Sequence, residues 1–89
     1  MSYKVLFSSK AKKYLSKIDK YQAKLILNWI ESNLVGTENP RLHGKPLAVN
    51  RIGEWRYRVG NYRVLAEITD DTVEIYIFKI GHRRDVYEN

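Results

Sequence analysis

The sequence predicts an α+β domain of order β-α-α-β-β-β, with an N-terminal strand and a helical hairpin packed on one face of an antiparallel sheet. Two observations lead to this fold class. Apolar residues recur at helical spacing between Ala11 and Leu34, and they alternate at every second position between Glu54 and Ile80. The length of 89 residues leaves room for one domain, residues 1–89, and for no second core.

The N-terminal part of the chain predicts a strand and then a helix. Residues 3–7 have the extended character of a first strand. Ser8 or Ser9 can cap the following helix, because a hydroxyl accepts a hydrogen bond from an unpaired amide of the first turn. The apolar stripe of this helix consists of Ala11, Tyr14, Leu15 and Ile18.

A second helix follows almost at once. Asp19 and Gln22 have the spacing of a capping box, and Gly36 supplies the stop. Because so little chain separates the two helices, we expect an antiparallel helical hairpin. The apolar stripe of the second helix is predicted at Ala23, Ile26, Leu27, Ile30 and Leu34.

The second half of the chain changes from irregular to strand-like. Residues 37–53 are punctuated by Pro40, Gly44 and Pro46, which predicts a long loop with a short extended piece. Aromatic and β-branched residues then alternate through three segments separated by Gly60-Asn61 and Asp70-Asp71 turns. These segments predict an antiparallel meander with strands at 54–59, 62–68 and 72–80.

The composition bounds the function. The chain has no cysteine, which excludes a disulfide framework, a cysteine nucleophile and a thiolate metal site. No apolar run has the length of a membrane span or the form of a signal peptide, so we expect a soluble, cytoplasmic protein with no membrane partner. The 16 Lys+Arg against 10 Asp+Glu give a net charge of +6, typical of a protein that binds a polyanion or of a merely solvated basic surface.

The alternation along the predicted strands concentrates the positive charge on one face of the sheet. Arg56 and Arg58 share a face, and a two-residue turn at Gly60-Asn61 places Arg58 directly opposite Arg63. The other face is apolar and should meet the helices, through Trp55, Tyr57, Val59, Tyr62, Val64 and Ala66.

Like charges directly opposite each other destabilise a sheet, by roughly several tenths of a kcal/mol. Three arginines on one exposed face therefore indicate a site for phosphates, whose oxygens suit the planar guanidinium. The alternative is that Glu54 and Glu67 disperse the charge through surface ion pairs. We favour the phosphate site because the predicted register pairs these two glutamates with each other at the far end.

The C-terminal segment adds further candidates. Arg83, Arg84 and Tyr87 follow the last strand and can lie at the rim of the basic face, where a ring beside arginines suits stacked RNA bases; Tyr87 can equally be a packing residue. His82 lies close enough in sequence to touch a substrate, whereas His43 is an ordinary loop histidine. Two histidines are too few to indicate a metal site. The lysines of the first helix form a solvated face or, alternatively, a second contact with nucleic acid.

Three segments resemble the RelE/ParE superfamily of bacterial and archaeal type II toxins. They are GKPL at 44–47, WRYRVGNYRV at 55–64 and GHRRDVY at 81–87, and the last is similar to the terminal signature of the RelE branch. The resemblance covers almost the whole chain, and it rests on the order of the segments rather than on any one of them.

The resemblance implies a ribosome-dependent endoribonuclease that cleaves messenger RNA in the A site. In this family the neighbouring 2′-hydroxyl attacks the phosphodiester and leaves a 2′,3′-cyclic phosphate, so neither a metal nor another cofactor is implied. A cognate antitoxin would silence the enzyme in a toxin–antitoxin hetero-oligomer. The implied catalytic residues are Arg58, Arg63, Arg83 and Tyr87, and the implied RNA-binding residues are Lys45, Arg56, His82 and Arg84.

The implied roles differ among these residues. Arg63 and Arg83 would hold the scissile phosphate, and Tyr87 would stack on or position a base. The sequence departs from the family at Arg56 and Arg58, where some RelE enzymes have lysines that include the proposed general base. Arginine stays protonated at neutral pH and is a poor base, so proton abstraction would fall to Tyr87, to His82 or to the ribosome, or would be weak.

Two other functions fit the same sequence. A ParE-type toxin of this fold poisons DNA gyrase by protein contact and is no nuclease, but it would not need Arg63, Arg83 and Tyr87 to converge. A non-catalytic nucleic-acid-binding module would bind RNA with a steep salt dependence and leave it intact.

Overall fold

The computed structural model describes residues 1–47 and 53–86, which form one five-stranded sheet with two helices packed on one of its faces. The predicted α+β order is confirmed, and the short extended piece expected in the long loop is a two-residue strand. In chain order the elements are β1 (Lys4–Phe7), α1 (Ser9–Lys17), α2 (Lys20–Asn33), β2 (Lys45–Pro46), β3 (Glu54–Val59), β4 (Tyr62–Thr69), β5 (Glu74–His82) and α3 (Arg83–Val86).

Both predicted helix caps are present. The Ser8 hydroxyl accepts a hydrogen bond from the amide of Ala11 at 3.0 Å and donates one to the carbonyl of Phe78 at 3.0 Å. The Asp19 carboxylate accepts hydrogen bonds from the amides of Tyr21 and Gln22 at 3.0 and 3.2 Å. These bonds satisfy amides that a helix leaves unpaired at its start, and they fix where α1 leaves the sheet and where α2 begins.

The sheet order is β1-β5-β4-β3-β2. Strands β3, β4 and β5 form the predicted antiparallel meander, and the β3–β4 register pairs Arg58 with Arg63 as the two-residue turn requires. The first strand differs from the expectation that it packs on a face: it lies in the sheet, at its edge, parallel to β5. Alternation indicates a strand but not its partner, which here is about 70 residues away.

A β-bulge in β5 changes which face its later residues occupy. Leu65 pairs with Lys79, but the next residue of β4 pairs with Ile77, so Phe78 is the extra residue. One extra residue inverts the alternation, and His82 therefore pairs with Tyr62 on the face that the helices cover. We call that face the helix-covered face, and the opposite one, which carries Arg56, Arg58, Arg63, Glu67 and Tyr76, the open face.

The core lies between the helices and the helix-covered face. Leu27, which we expected in the buried stripe of α2, is 42% exposed. Because a helix turns about 100° per residue, Leu27 lies on the flank of a stripe centred on Ile26 and Ile30. No helix among the residues that the structure describes is long and apolar enough to span a membrane. The core consists of Ala11, Ile26, Ile30, Leu34, Tyr57, Val59, Val64, Ala66, Ile75, Ile77 and Ile80.

Candidate functional site

A cleft of about 440 Å³ lies where β2, β3 and β4 meet. Side chains of the open face provide most of its charged groups, because the alternation of β3 and β4 directs them away from the core. Among the residues that the structure describes, every ionisable group that borders the cleft is a cation except for the phenol of Tyr57, which is fully buried. The residues that line it are Gly44, Lys45, Arg56, Tyr57, Arg58 and Arg63.

The cations of the cleft face one another in two cross-strand pairs. Lys45 on β2 is paired with Arg56 on β3. Arg58, two residues further along β3, is paired with Arg63 on β4. Directly opposite residues on one face have Cβ atoms about 4.5–5.5 Å apart, so both pairs are repulsive. The sheet therefore brings four cations together around one cleft.

The acidic residues of the same face do not neutralise this cluster through strand pairing. Glu54 is paired with Glu67, at the end of β3 away from Arg58. The predicted separation of a basic and an acidic end is thus confirmed in the register. A face built only for folding would pair each glutamate with an arginine, because opposite charges are the favourable cross-strand combination.

Arg63 is the most constrained cation of the cleft. Only 8% of the residue is exposed, and its Nη1 donates to the carbonyl oxygens of Gly60 at 3.2 Å and Tyr62 at 2.9 Å. These bonds hold the guanidinium against the β3–β4 turn. No carboxylate within residues 1–47 and 53–86 forms an ion pair with it. A buried cation that is hydrogen-bonded but not neutralised is costly, and an anionic ligand would offset that cost.

Arg58 differs from Arg63 in its freedom. It is exposed, and it makes no hydrogen bond or ion pair with any other residue that the structure describes. The directly opposite pair thus combines one guanidinium held by the turn with one that can move toward a ligand. Together they can contact a phosphate from two sides.

Gly44 brings Lys45 to the cleft. Its φ of +81° lies in the left-handed region, and a Cβ there would collide with the carbonyl oxygen of Arg56 and would lie 2.8 Å from Nε1 of Trp55. The Trp55 indole in turn donates a hydrogen bond to the carbonyl of His43 at 2.6 Å. The loop can lie this close to β3 only because residue 44 has no side chain.

The same loop is fastened to the helix-covered side of the sheet. The Tyr57 hydroxyl donates to the carbonyl of Pro40 at 2.6 Å, and burial raises the pKa of this phenol far above its ordinary value. Arg41 forms a bidentate ion pair with Asp70, with both distances at 3.2 Å. The Tyr3 hydroxyl donates to the same carboxylate at 2.6 Å, and the two donors lower the pKa of Asp70.

The C-terminal segment approaches the cleft through its backbone. The amide of Arg83 donates to the carbonyl of Asn61 at 2.7 Å, which fixes the start of α3 beside the turn that also holds Arg63. Gly81 is paired with Arg63 and presents no side chain there. Arg83 and Arg84 are exposed. Tyr87, predicted to contact a base, lies outside the described residues.

His82 does not join the arginines on the open face. Its ring makes an edge-to-face contact with Tyr62, with centroids 5.7 Å apart, on the helix-covered side. The Tyr62 ring contacts that of Tyr14 in the same way at 6.5 Å. This position does not support the expectation that His82 binds RNA beside the cleft. The break in alternation from Ile77 to Ile80 is the sequence signal that would have indicated the bulge and hence this placement.

Tyr14 and Tyr62, which the sequence predicts only as packing residues, also belong to this region. Burial raises the pKa of the Tyr14 phenol, and a contact with the backbone of His82 lowers it by less.

Within the described part of the chain no three His, Asp or Glu side chains lie close enough together to hold a metal ion.

Comparison with known proteins agrees with this architecture. The sequence model of the family described as "ParE toxin of type II toxin-antitoxin system, parDE" matches residues 5–87. Toxin RelG of Mycobacterium tuberculosis is 30% identical over 87 residues, which are 98% of this chain and 98% of RelG.

Solved structures show the same fold. A chain of the toxin–antitoxin complex RelBE2 from Mycobacterium tuberculosis superposes with a TM-score of 0.80 at 28% identity, covering 93% of this chain and 100% of that one. The isolated RelE toxin of E. coli has a TM-score of 0.73 at 18% identity, covering 91% of this chain and 84% of that one. Since the family match and the identity with RelG extend over nearly the whole chain, the protein belongs to the RelE/ParE superfamily of type II toxins and has the RelE-like fold.

Proposed function

We propose that this toxin is a ribosome-dependent endoribonuclease that cleaves messenger RNA in the ribosomal A site. The observation that supports it best is the pairing of Arg63, buried and without a carboxylate partner in the described chain, with the exposed Arg58 across the cleft. Such a pair is unfavourable in the free protein and becomes favourable when a phosphodiester lies between the two guanidinium groups.

The cations of the cleft suit cleavage of a phosphodiester by the neighbouring 2′-hydroxyl. The 2′-oxygen attacks the adjacent phosphorus, the bond from phosphorus to the 5′-oxygen breaks, and a 2′,3′-cyclic phosphate and a 5′-hydroxyl result. Negative charge builds on the phosphoryl oxygens in the transition state, where fixed cations stabilise it without further reorganisation. Arg63, held by two carbonyls, supplies such a fixed charge, while Arg58 and Arg83 complete the neutralisation. Arg56, Lys45 and Arg84 would hold the flanking RNA backbone.

The proton of the 2′-hydroxyl needs an acceptor. A guanidinium does not give up its proton at neutral pH, so the arginines of the cleft cannot serve as this acceptor. His82 lies on the helix-covered face, away from the cleft. We therefore favour Tyr87 or a group of the ribosome as the general base. Such a base contributes roughly 10²–10⁴-fold, and the cationic cleft would act without it, only more slowly.

We infer that a cognate antitoxin binds this protein and silences it in a hetero-oligomer in the cytoplasm. The similar RelBE2 structure is a toxin–antitoxin complex. A chain with a net charge of +6 suits a partner that wraps it with an acidic or amphipathic segment. The free toxin should arrest growth, and co-expression of the neighbouring antitoxin gene should restore it.

A second candidate function is inhibition of DNA gyrase. The matching family model is described as a ParE toxin, which favours this alternative. The two toxin classes produce different phenotypes in growth-arrested cells: a nuclease stops protein synthesis, whereas a gyrase poison causes DNA damage and filamentation. The cationic cleft favours the nuclease, since contact with a protein does not require paired arginines.

The test is primer extension on a reporter messenger after induction of the toxin, with wild type, Arg63→Ala and Arg83→Ala compared. We expect discrete cuts within translated codons in the wild type and their loss in both variants. Lys24→Ala, which removes an exposed cation of α2 outside the cleft, is the matched control and should cut normally. An intact messenger alongside arrested growth would refute the nuclease and favour gyrase.

A further inference from the structure

His82 links the last strand to the C-terminal helix. It is the final residue of β5, and α3 begins at the next residue. Its Nδ1 accepts a hydrogen bond from the backbone amide of Arg84 at 3.2 Å. This amide belongs to the first turn of α3, where a helix has no backbone acceptor of its own to offer. The imidazole thus plays the part that a serine or aspartate side chain plays at the start of other helices.

One aromatic ring contacts the imidazole directly, and a second ring supports the first. Tyr62 contacts it edge-to-face at 5.7 Å, and Tyr14 of α1 contacts Tyr62 at 6.5 Å. The bulge at Phe78 puts His82 on this side of the sheet. A ring fixed in this way can accept from only one direction, so the bond to Arg84 also sets the direction in which α3 leaves the sheet.

The hydrogen bond to His82 is one of two that hold the backbone of Arg83 and Arg84. Arg83 is tied by its own amide to the carbonyl of Asn61, beside the turn against which Arg63 is held. Between this bond and the His82 bond, two successive amides of α3 are fixed to the body of the protein. If the bond to His82 were lost, only the bond from the Arg83 amide to Asn61 would remain of these two.

We propose that His82 is a positioning residue of the toxin, which by accepting a hydrogen bond from Arg84 fixes the C-terminal arginines relative to the cleft without touching the RNA. This proposal rests on the proposed nuclease function for its catalytic readout. Its structural part, the hydrogen bond at the start of α3, can be tested without any RNA.

Three substitutions of His82 distinguish the role of its hydrogen-bond acceptor, Nδ1, from that of the rest of the imidazole ring. His82→Asn places an oxygen at the same number of bonds from Cα as Nδ1 and should keep the hydrogen bond. His82→Gln moves its oxygen one bond further out, and His82→Ala removes it, so both should lose the bond. Thermal unfolding of each variant, which we expect to be cooperative, verifies that the sheet is folded before the other readouts are compared.

The first readout is exchange of the Arg84 amide hydrogen, followed by NMR on the uniformly ¹⁵N-labelled protein. We expect protection in the wild type and in His82→Asn, and exchange about fivefold faster in His82→Gln and His82→Ala, the size of a lost helix cap. Equal exchange in wild type and His82→Ala would overturn the proposal.

The second readout is messenger cleavage on programmed ribosomes. His82→Asn should cleave at the wild-type rate, and the other two variants about fivefold more slowly. If His82→Asn is as slow as His82→Gln while its Arg84 amide stays protected, the ring itself contacts the substrate and the proposal is wrong. If the wild type cleaves nothing, the nuclease function fails, and amide exchange still decides the role of His82.

Discussion

Replacing Arg58 should make the protein more stable and less active at once. Arg58→Thr removes one member of the directly opposite pair with Arg63 and puts a β-branched side chain with good strand propensity in its place. Because Arg58 is exposed, the substitution removes no hydrogen bond or ion pair with another described residue. Arg58→Lys is the matched control, because it keeps the charge at the same position.

The size of the gain follows from the register. A like-charged pair directly opposite on two strands costs about 0.2–1 kcal/mol, and we take about 0.5 kcal/mol for a pair with one exposed member. In a domain of this length 1 kcal/mol shifts the Tm by about 4–8 °C, so Arg58→Thr should melt about 2–4 °C higher than wild type. Loss of one group that stabilises transition-state charge costs roughly 10²-fold or more in cleavage rate.

The assay pairs thermal unfolding with messenger cleavage on ribosomes. The stability gain should shrink at an ionic strength of about 1 M, where the Debye length is only about 3 Å. Arg58→Lys should show no gain at any salt concentration. If Arg58→Thr is less stable than wild type, or keeps full activity, the inference that the sheet tolerates this repulsion for the sake of a phosphate is refuted.

Three further outcomes test how the site is supported. Gly44→Ala should lower the Tm and slow cleavage at least tenfold, because its Cβ would collide with β3. Gly36→Ala is the matched control, because Gly36 has a similar φ of +77° but no atom near its Cβ position. It should lower the free energy of unfolding by only about 1 kcal/mol and leave cleavage unchanged. Tyr57→Phe should cost about 1–3 kcal/mol in denaturant unfolding, since the carbonyl of Pro40 loses its buried donor. Burial raises the pKa of Tyr57, so its contribution is complete below about pH 10 and is lost as the pH rises; the alkaline loss of stability should be smaller in the variant. Asp70→Asn should make the free energy of unfolding depend less on pH in acid. Hydrogen bonds lower the pKa of Asp70 from its ordinary value of 3.8, so its contribution to stability is present above that pH and is lost as the pH falls. An equal loss of stability in acid for the variant and the wild type would contradict this.

Much of the site was predictable because it depends on local rules. The face occupied by Arg56 and Arg58 follows from strand alternation, and a two-residue turn allows one register only, in which Arg58 meets Arg63. Arg83 and Tyr87 were expected at the rim of the basic face because they follow the last strand, and their separate roles came from the family resemblance. Arg83 is now located by its bond to Asn61, whereas the predicted role of Tyr87 concerns a residue outside the described chain.

Other features could not be predicted from spacing. The contact of Lys45 with the cleft depends on β2, a strand of two residues, too short to produce a periodic pattern. The exposure of Leu27 depends on how far its neighbours cover α2. The position of His82 was missed for a different reason. It was expected near the arginines because it directly precedes Arg83 in the sequence, but the bulge in β5 places it on the opposite face.

The sequence by itself determined the elements, the helix caps and the concentration of arginines on one face, because each depends on residues within a few positions or one tight turn of each other. Only the tertiary structure decided that β1 pairs in parallel with β5 and that Arg63 is buried against the turn. Burial and strand partnership depend on which distant segments pack together, and no local pattern in the chain encodes that choice.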